Sequence, residues 1–427
     1  MKKLFALAAL FLAGQAVAQT RIETTAKDGT VSTHESISLT ISEENHTVQI
    51  GPEEPQSVTD LRSLRFTRDG LPWNLQWKRY DGSRHNDFGY GSIMHIRDLM
   101  TADIYRPDNG YNWFGTWQKN QFLGKNYVYA QGVWRTMRTL AVEANDWIRT
   151  LKENGQENDG WLGVAYTCRA LTYLDMARMY EFLPNDRTNG ISESGQDITG
   201  LTVPLIDETT EYDPVTRFYN VPRATKNEAA AFIQNDLDRA EQLITKLNEP
   251  SRLVPHIDVV YGLKARLYLW TGDYAKAREY ARRAIETTST HIMTRAEMTD
   301  KTTGFNTAEN WMWGVQHFPT DPTVTSGITN WTSWMSNEYN EGYAAAGAEL
   351  LIDKSLYDRM TDTDVRKQLF VPPYESWLES QAMYMLIDMD NIMLSPYASI
   401  KFRPSHAAIN DVEGLLTAFP LMRVEEM

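Results

Sequence analysis

Between Val259 and Glu286, small and aromatic residues are spaced as two tightly packed antiparallel helices would use them. Tyr261, Ala265 and Tyr268 share one helical face, Gly272-Asp273-Tyr274 makes the turn, and Ala277, Ala281 and Ala284 line the next helix. Small residues at that spacing let two helices approach closely, while Tyr261, Tyr268, Trp270 and Tyr274 fill the remaining volume. The unit reads as a helical hairpin of tetratricopeptide type. One such hairpin cannot bury both its faces, so the chain must stack other helices on it. Three segments qualify. From Lys125 to Leu151, Val128, Val133, Trp134, Met137, Leu140, Ala144 and Ile148 recur at three- and four-residue steps. A second helix runs from about Trp161 to Tyr180. A third runs from Lys226 to Leu247, with Thr225 placed to cap it and Ala229, Phe232, Ile233, Leu237 and Ala240 facing inward.

The flanks read differently. Residues 1–18 have the layout of an export signal: Lys2 and Lys3, an apolar run from Leu4 to Leu12, then Ala16-Val17-Ala18 as a cleavage site. The apolar run is shorter than the roughly 20 residues a membrane-crossing helix needs, and no later stretch approaches that length without charges. Residues 19–68 form a β-patterned leader, with alternation in Ser36-Ile37-Ser38-Leu39-Thr40-Ile41 and Thr47-Val48-Gln49-Ile50. Residues 69–427 then form the main body. After about residue 288 its helical periodicity gives way to Thr-, Asn-, Gly- and aromatic-rich sequence with short helical pieces such as Gly347 to Met360. Long irregular insertions in helical scaffolds are usually functional or disordered, and the density of tryptophan here argues against disorder. Leu421 to Met427 reads as the opening turn of a further helix, as if the pattern continued beyond it.

Charge and cysteine content exclude several roles. The formal net charge is −14 with no compact Lys/Arg cluster, so nucleic acid is excluded as a partner and a neutral ligand is favoured over an acidic one. Cys168 is the only cysteine, so no intramolecular disulfide forms, and its neighbours Val164, Ala165 and Leu171 mark it as a buried thiol. Among 8 histidines there is no His-Glu-x-x-His pair, and no Gly-x-Ser-x-Gly elbow or phosphate-binding loop occurs. No catalytic residue is assigned and no cofactor is expected. Asp388-Met389-Asp390-Asn391 could hold a structural calcium, but it lacks the 12-residue calcium-loop pattern and reads better as a polar turn.

An ordered series of short segments resembles the SusD/RagB outer-membrane nutrient-binding proteins, from about Phe88 to Met427. These are Phe88-Gly89-Tyr90-Gly91 before Arg97-Asp98-Leu99-Met100; Trp134 before Ala144-Asn145-Asp146; Arg169-Ala170 with Tyr173-Leu174; and Leu201-Thr202-Val203-Pro204. Pro222-Arg223-Ala224-Thr225 follows, then Ile233 with Asp236-Leu237, Tyr261-Gly262-Leu263-Lys264-Ala265-Arg266, Asp364-Val365-Arg366-Lys367, and Leu421-Met422-Arg423 with Glu425-Glu426. The resemblance implies a mainly α fold in which tetratricopeptide-type hairpins cradle a loop-rich variable half. It implies a protein on the outer-membrane surface that binds oligosaccharides without cleaving them and passes them to a SusC-like TonB-dependent transporter. Three features depart from the family pattern: no lipid-accepting cysteine follows the signal, the β-patterned leader stands where a long first helix is expected, and the family's C-terminal helices would follow Met427.

A sugar ring has an apolar C–H face and a rim of hydroxyls, so its site needs flat aromatic platforms beside amides and carboxylates. Two segments supply them. Asp108 to Asn120 contains Asn112, Trp113 and Trp117, and the insertion contains Trp311, Trp313, Gln316, Trp331, Trp334, Asn337 and Tyr339. The candidate glycan contacts are Asn112, Trp113, Trp117, Trp311, Trp313, Trp331, Trp334 and Tyr339. The competing reading for each ring is core packing, which is favoured outright for the intrahelical Trp134, Trp147 and Trp270. Two other functions stay open. A glycoside hydrolase needs only two carboxylates about 5 to 10 Å apart, and a helical-repeat scaffold would bind proteins alone.

Overall fold

The computed structural model describes the strands between residues 20 and 68 and residues 71–79, 84–108, 111–183, 190–212, 219–300, 305, 308–318, 321–325, 329–339, 342–373, 394–402 and 418–427. The export signal and the Asp388–Asn391 turn lie outside the described residues. The leader carries the strands its alternation calls for. β1 (Thr20–Ala26) lies between β2 (Val31–His34) and β6 (Leu61–Arg68), all antiparallel. A second antiparallel sheet joins β3 (Leu39–Ser42), β4 (Thr47–Ile50) and β5 (Gln56–Ser57).

The body begins at α1 (Tyr90–Leu99), whose entry depends on a glycine. Gly89 sits at φ 74°, and a Cβ there would stand 2.2 Å from the Leu75 carbonyl oxygen. β7 (Ile104–Tyr105) follows, and then five long helices: α2 (Val128–Glu153), α3 (Gly160–Tyr180), α4 (Lys226–Leu243), α5 (Ile257–Thr271) and α6 (Tyr274–Thr287). Each packs on the next, as the hairpin spacing requires. Thr225 and Glu228 cap α4 reciprocally, and Gly272 ends α5 in the left-handed region at φ 84°. Between α3 and α4 the chain forms β8 (Leu201–Pro204) and β9 (Arg223–Thr225) as an antiparallel pair.

α3 is the centre of the stack and is buried on nearly every side from Gly160 to Ala177, Cys168 included. Its glycines set the spacing: a Cβ on Gly163 would stand 2.7 Å from Ile244 N, and one on Gly160 2.4 Å from Leu247 N. A buried cation locks it to its neighbours. The Arg169 guanidinium donates to both Asp236 oxygens at 2.7 Å, to Asn145 Oδ1 at 2.9 Å and to Glu208 Oε2 at 2.6 Å. Burial works against ionisation of Glu208, but hydrogen bonds from Lys152 and Arg169 outweigh it and bring the carboxyl down to about 2.

The irregular half closes over this stack. β10 (Trp313–Gln316) pairs with β12 (Ala418–Met422), and β11 (Leu351–Ile352) pairs with β7. Two local expectations change. Leu421 and Met422 lie in a strand, followed by a single 3-10 turn at Val424–Glu426, because the segment is captured by β10 and by α5. Arg266 donates to the Leu421 carbonyl at 3.1 Å, and Met422 Sδ lies 2.3 Å from where a Cβ on Gly262 would stand. In the 347–360 stretch, β11 comes first and only Lys354–Arg359 is helical, capped by Asp353. Among the described residues no helix is long and apolar enough to cross a membrane.

Candidate functional site

The loop after β7 is folded back on one residue. Gln118 accepts from the Arg106 backbone N–H at 2.9 Å and donates to its carbonyl at 3.0 Å. Asn112 donates to the same carbonyl at 3.4 Å while its Oδ1 accepts from Phe114 N at 3.2 Å. The Arg106 side chain is fully buried: it donates to His95 Nε2 at 2.8 Å and to the carbonyls of Ala348 and Trp334, and lies 4.9 Å from the Trp334 ring centroid. Burial lowers this guanidinium to about 9 and, with Arg106 beside it, holds His95 well below the usual imidazole range. His95 therefore serves as a neutral acceptor.

This pinning sorts the rings of the loop. Phe114 and Trp117 point into the core, whereas Trp113 stays half-buried, stacked on His85 with ring centroids 4.5 Å apart and 4° between planes. His85 is fixed in turn: its Nδ1 lies 2.7 Å from Tyr343 Oη, and its carbonyl accepts from Trp334 Nε1 at 2.7 Å. Tyr343 stacks on Trp334 at 3.6 Å. Burial first, and Lys78 second, lower His85 below its ordinary value, so the ring facing Trp113 is the neutral one. Trp113 is thus the outermost ring of an ordered column.

Exposed aromatics lie along the same stretch. Tyr111 is 54% exposed, Phe122 57% and Tyr127 46%, the last two meeting at 5.4 Å. Polar groups accompany them, including an Asp108–Lys119 ion pair at 2.6 Å and exposed Asn120, Gln121 and Asn126. Platform, amide and carboxylate are therefore all present between residues 105 and 127.

Among the described residues of the insertion, the candidate rings supply no such surface. Trp311 packs with Met293, Met298, Phe305 and Leu369; Trp313 lies in β10; and Trp331 meets Phe402 edge-on at 5.2 Å. Trp334 belongs to the column described above, and Tyr339 packs with Val324. The expectation of exposed platforms is corrected for Trp117, Trp311, Trp313, Trp331, Trp334 and Tyr339: all are at most 4% exposed, and protein occupies the faces on which a sugar would stack. Trp113 and Asn112 are only partly buried. Sequence reasoning included Tyr111 in the 108–120 segment without singling it out and passed over Phe122, Tyr127 and His85, although the density of rings from 111 to 129 was visible.

Three of the buried carboxylates form ion pairs. Asp175 pairs with Arg97 at 2.7 Å, Asp236 with Arg169, and Asp258 with Arg252 at 3.0 Å. Among the described residues no cluster of three or more His, Cys, Asp or Glu side chains could hold a metal ion.

No family model matches this sequence, and no curated protein does. Its three-dimensional form has clear counterparts. A SusD-like carbohydrate binding protein from Bacteroides vulgatus aligns with a TM-score of 0.58 at 20% identity, over 83% of this chain and 67% of its own. The chain has the SusD-like fold. A SusD superfamily protein from Bacteroides thetaiotaomicron aligns at 0.57 and 17% identity, over 81% and 70% of the two chains. Another from Bacteroides fragilis aligns at 0.56 and 15%, over 83% and 70%. The SusD-like helical body of tetratricopeptide-type hairpins is the one the sequence motifs pointed to.

Proposed function

We propose that this protein binds oligosaccharides on the surface spanning Tyr105 to Tyr127, with Trp113 as the central platform and Asn112 beside it. The reading rests on the Trp113–His85 stack: a half-buried indole held flat by a hydrogen-bonded imidazole, flanked by exposed Tyr111, Phe122 and Tyr127. A fixed ring loses little freedom on binding, so stacking on a sugar's C–H face goes into affinity. The carbohydrate binding protein sharing the fold supports the same ligand class. Binding proceeds by stacking and hydrogen bonds, without cleavage. In the wider scheme the protein is exported, works at the outer-membrane surface and hands its ligand to a SusC-like TonB-dependent transporter.

The test is a tryptophan-fluorescence titration of the full chain with a panel of neutral oligosaccharides, with reducing ends assayed in the same mixtures. Saturable binding that Trp113→Ala abolishes, with no new reducing ends, is expected. New reducing ends would establish a hydrolase, and silence across the panel from a folded sample would leave a protein-binding scaffold.

A further inference from the structure

A cavity of about 190 Å³ opens on the helical side of the molecule, between α2, α3 and the segment after β8. Cavities of about 150 Å³ are large enough to hold a benzene ring. Ala141, Met176, Pro204 and Ile206 supply apolar wall, and Trp134, Tyr173 and Tyr219 supply aromatic wall. The walls are held in place. Trp134 meets Tyr180 edge-on at 5.0 Å, and the Tyr173 hydroxyl donates to the Ile206 carbonyl at 2.8 Å while accepting from Ile206 N at 2.9 Å.

Arg138, one helical turn beyond Trp134 on α2, is the only charged side chain among the described lining residues. Its guanidinium lies 5.5 Å from the Tyr219 ring centroid and forms no ion pair with any described residue. An apolar cup with a single cation at its wall selects a ligand that is apolar over most of its surface and negative at one end. A sugar fits this cup poorly. With the Tyr173 hydroxyl already engaged, its ring hydroxyls would face alkyl and aromatic carbon, and each unpaired one would cost affinity.

We propose that this cavity binds a planar aromatic carboxylate, its ring in the apolar cup and its carboxylate on the Arg138 guanidinium. The site shares no residue with the Trp113 surface, so it stands or falls independently of the oligosaccharide reading. The test is a fluorine NMR titration of the full chain with para-fluorobenzoate, alongside neutral para-fluorobenzamide and glucuronate. Saturable binding of the benzoate is expected, weakened about tenfold or more in the amide and in Arg138→Gln, because both remove the charge-assisted contact. Ala141→Phe, which fills the cup, should abolish it, while Trp113→Ala should leave it unchanged. Absence of benzoate binding by the folded protein would overturn the proposal. So would equal binding by Arg138→Gln, or Arg138-dependent binding of glucuronate in place of the benzoate.

Discussion

Replacing Arg169 with Met is the most direct way to ask what holds the helical stack together. The side chain is 2% exposed and makes four charge-assisted hydrogen bonds, two of them to Asp236, itself fully buried. Met keeps much of the volume but leaves the Asp236 carboxylate buried without its cation, and breaking such a pair on one side costs about 3 to 5 kcal/mol. Against a total stability of about 5 to 15 kcal/mol for a typical fold, that is a large fraction. Urea unfolding followed by far-UV circular dichroism should show the midpoint falling with little change in slope. The double variant Arg169→Met/Asp236→Leu removes both charges and should recover most of the loss. A cost below about 1 kcal/mol for the single variant, or a double variant no better than the single, would refute the claim that the uncompensated carboxylate is the source.

Acid should weaken the Glu208 arm of the same cluster. Glu208 sits near 2 in the fold against an ordinary 4.5, so its contribution is complete above about 4.5 and is lost as the pH falls toward 2. At about 1.4 kcal/mol per unit, reduced for screening where Lys152 is open to solvent, the loss is about 2 kcal/mol. Glu208→Gln should flatten that part of a stability–pH curve. Gly163→Ala should cost about 1 to 3 kcal/mol in denaturant melts, since its methyl would meet the Ile244 backbone and α3 cannot retreat; an unchanged midpoint would contradict the close approach. Trp311→Ala should destabilise by about 3 to 5 kcal/mol, whereas Trp113→Ala should cost well under half as much, and the reverse order in thermal melts would overturn their placement.

The helical half was legible because its signals are local. Ala229, Ile233, Leu237 and Ala240 reveal an inward face by spacing alone, and Thr225 with Glu228 marks a helix start within four residues. The candidate surface was legible only as far as its composition. Whether a tryptophan is platform or core depends on which residues reach it: Trp334 is sealed by a hydrogen bond to His85, 249 positions away, and no periodicity encodes that contact. For the same reason Leu421 and Met422 passed for the start of a helix, since their pairing with β10 is not visible in the segment itself. Phe122 adopts φ 55° at an exposed site, a backbone choice with no signature in its neighbours.

The way the helices are strung together also sets an order of assembly. From α2 to α6 each helix packs on the next in sequence, and apart from the longer α3–α4 connection that carries β8 and β9 these contacts close short loops and form quickly. β10 and β12, by contrast, must be gathered from opposite ends of a segment of roughly a hundred residues, an entropic cost that is met late. During refolding, helical circular dichroism should therefore return before the native tryptophan emission. In that interval Trp311, Trp313, Trp331 and Trp334 are exposed to solvent on a half-built molecule, which makes the irregular half the period of greatest risk of self-association.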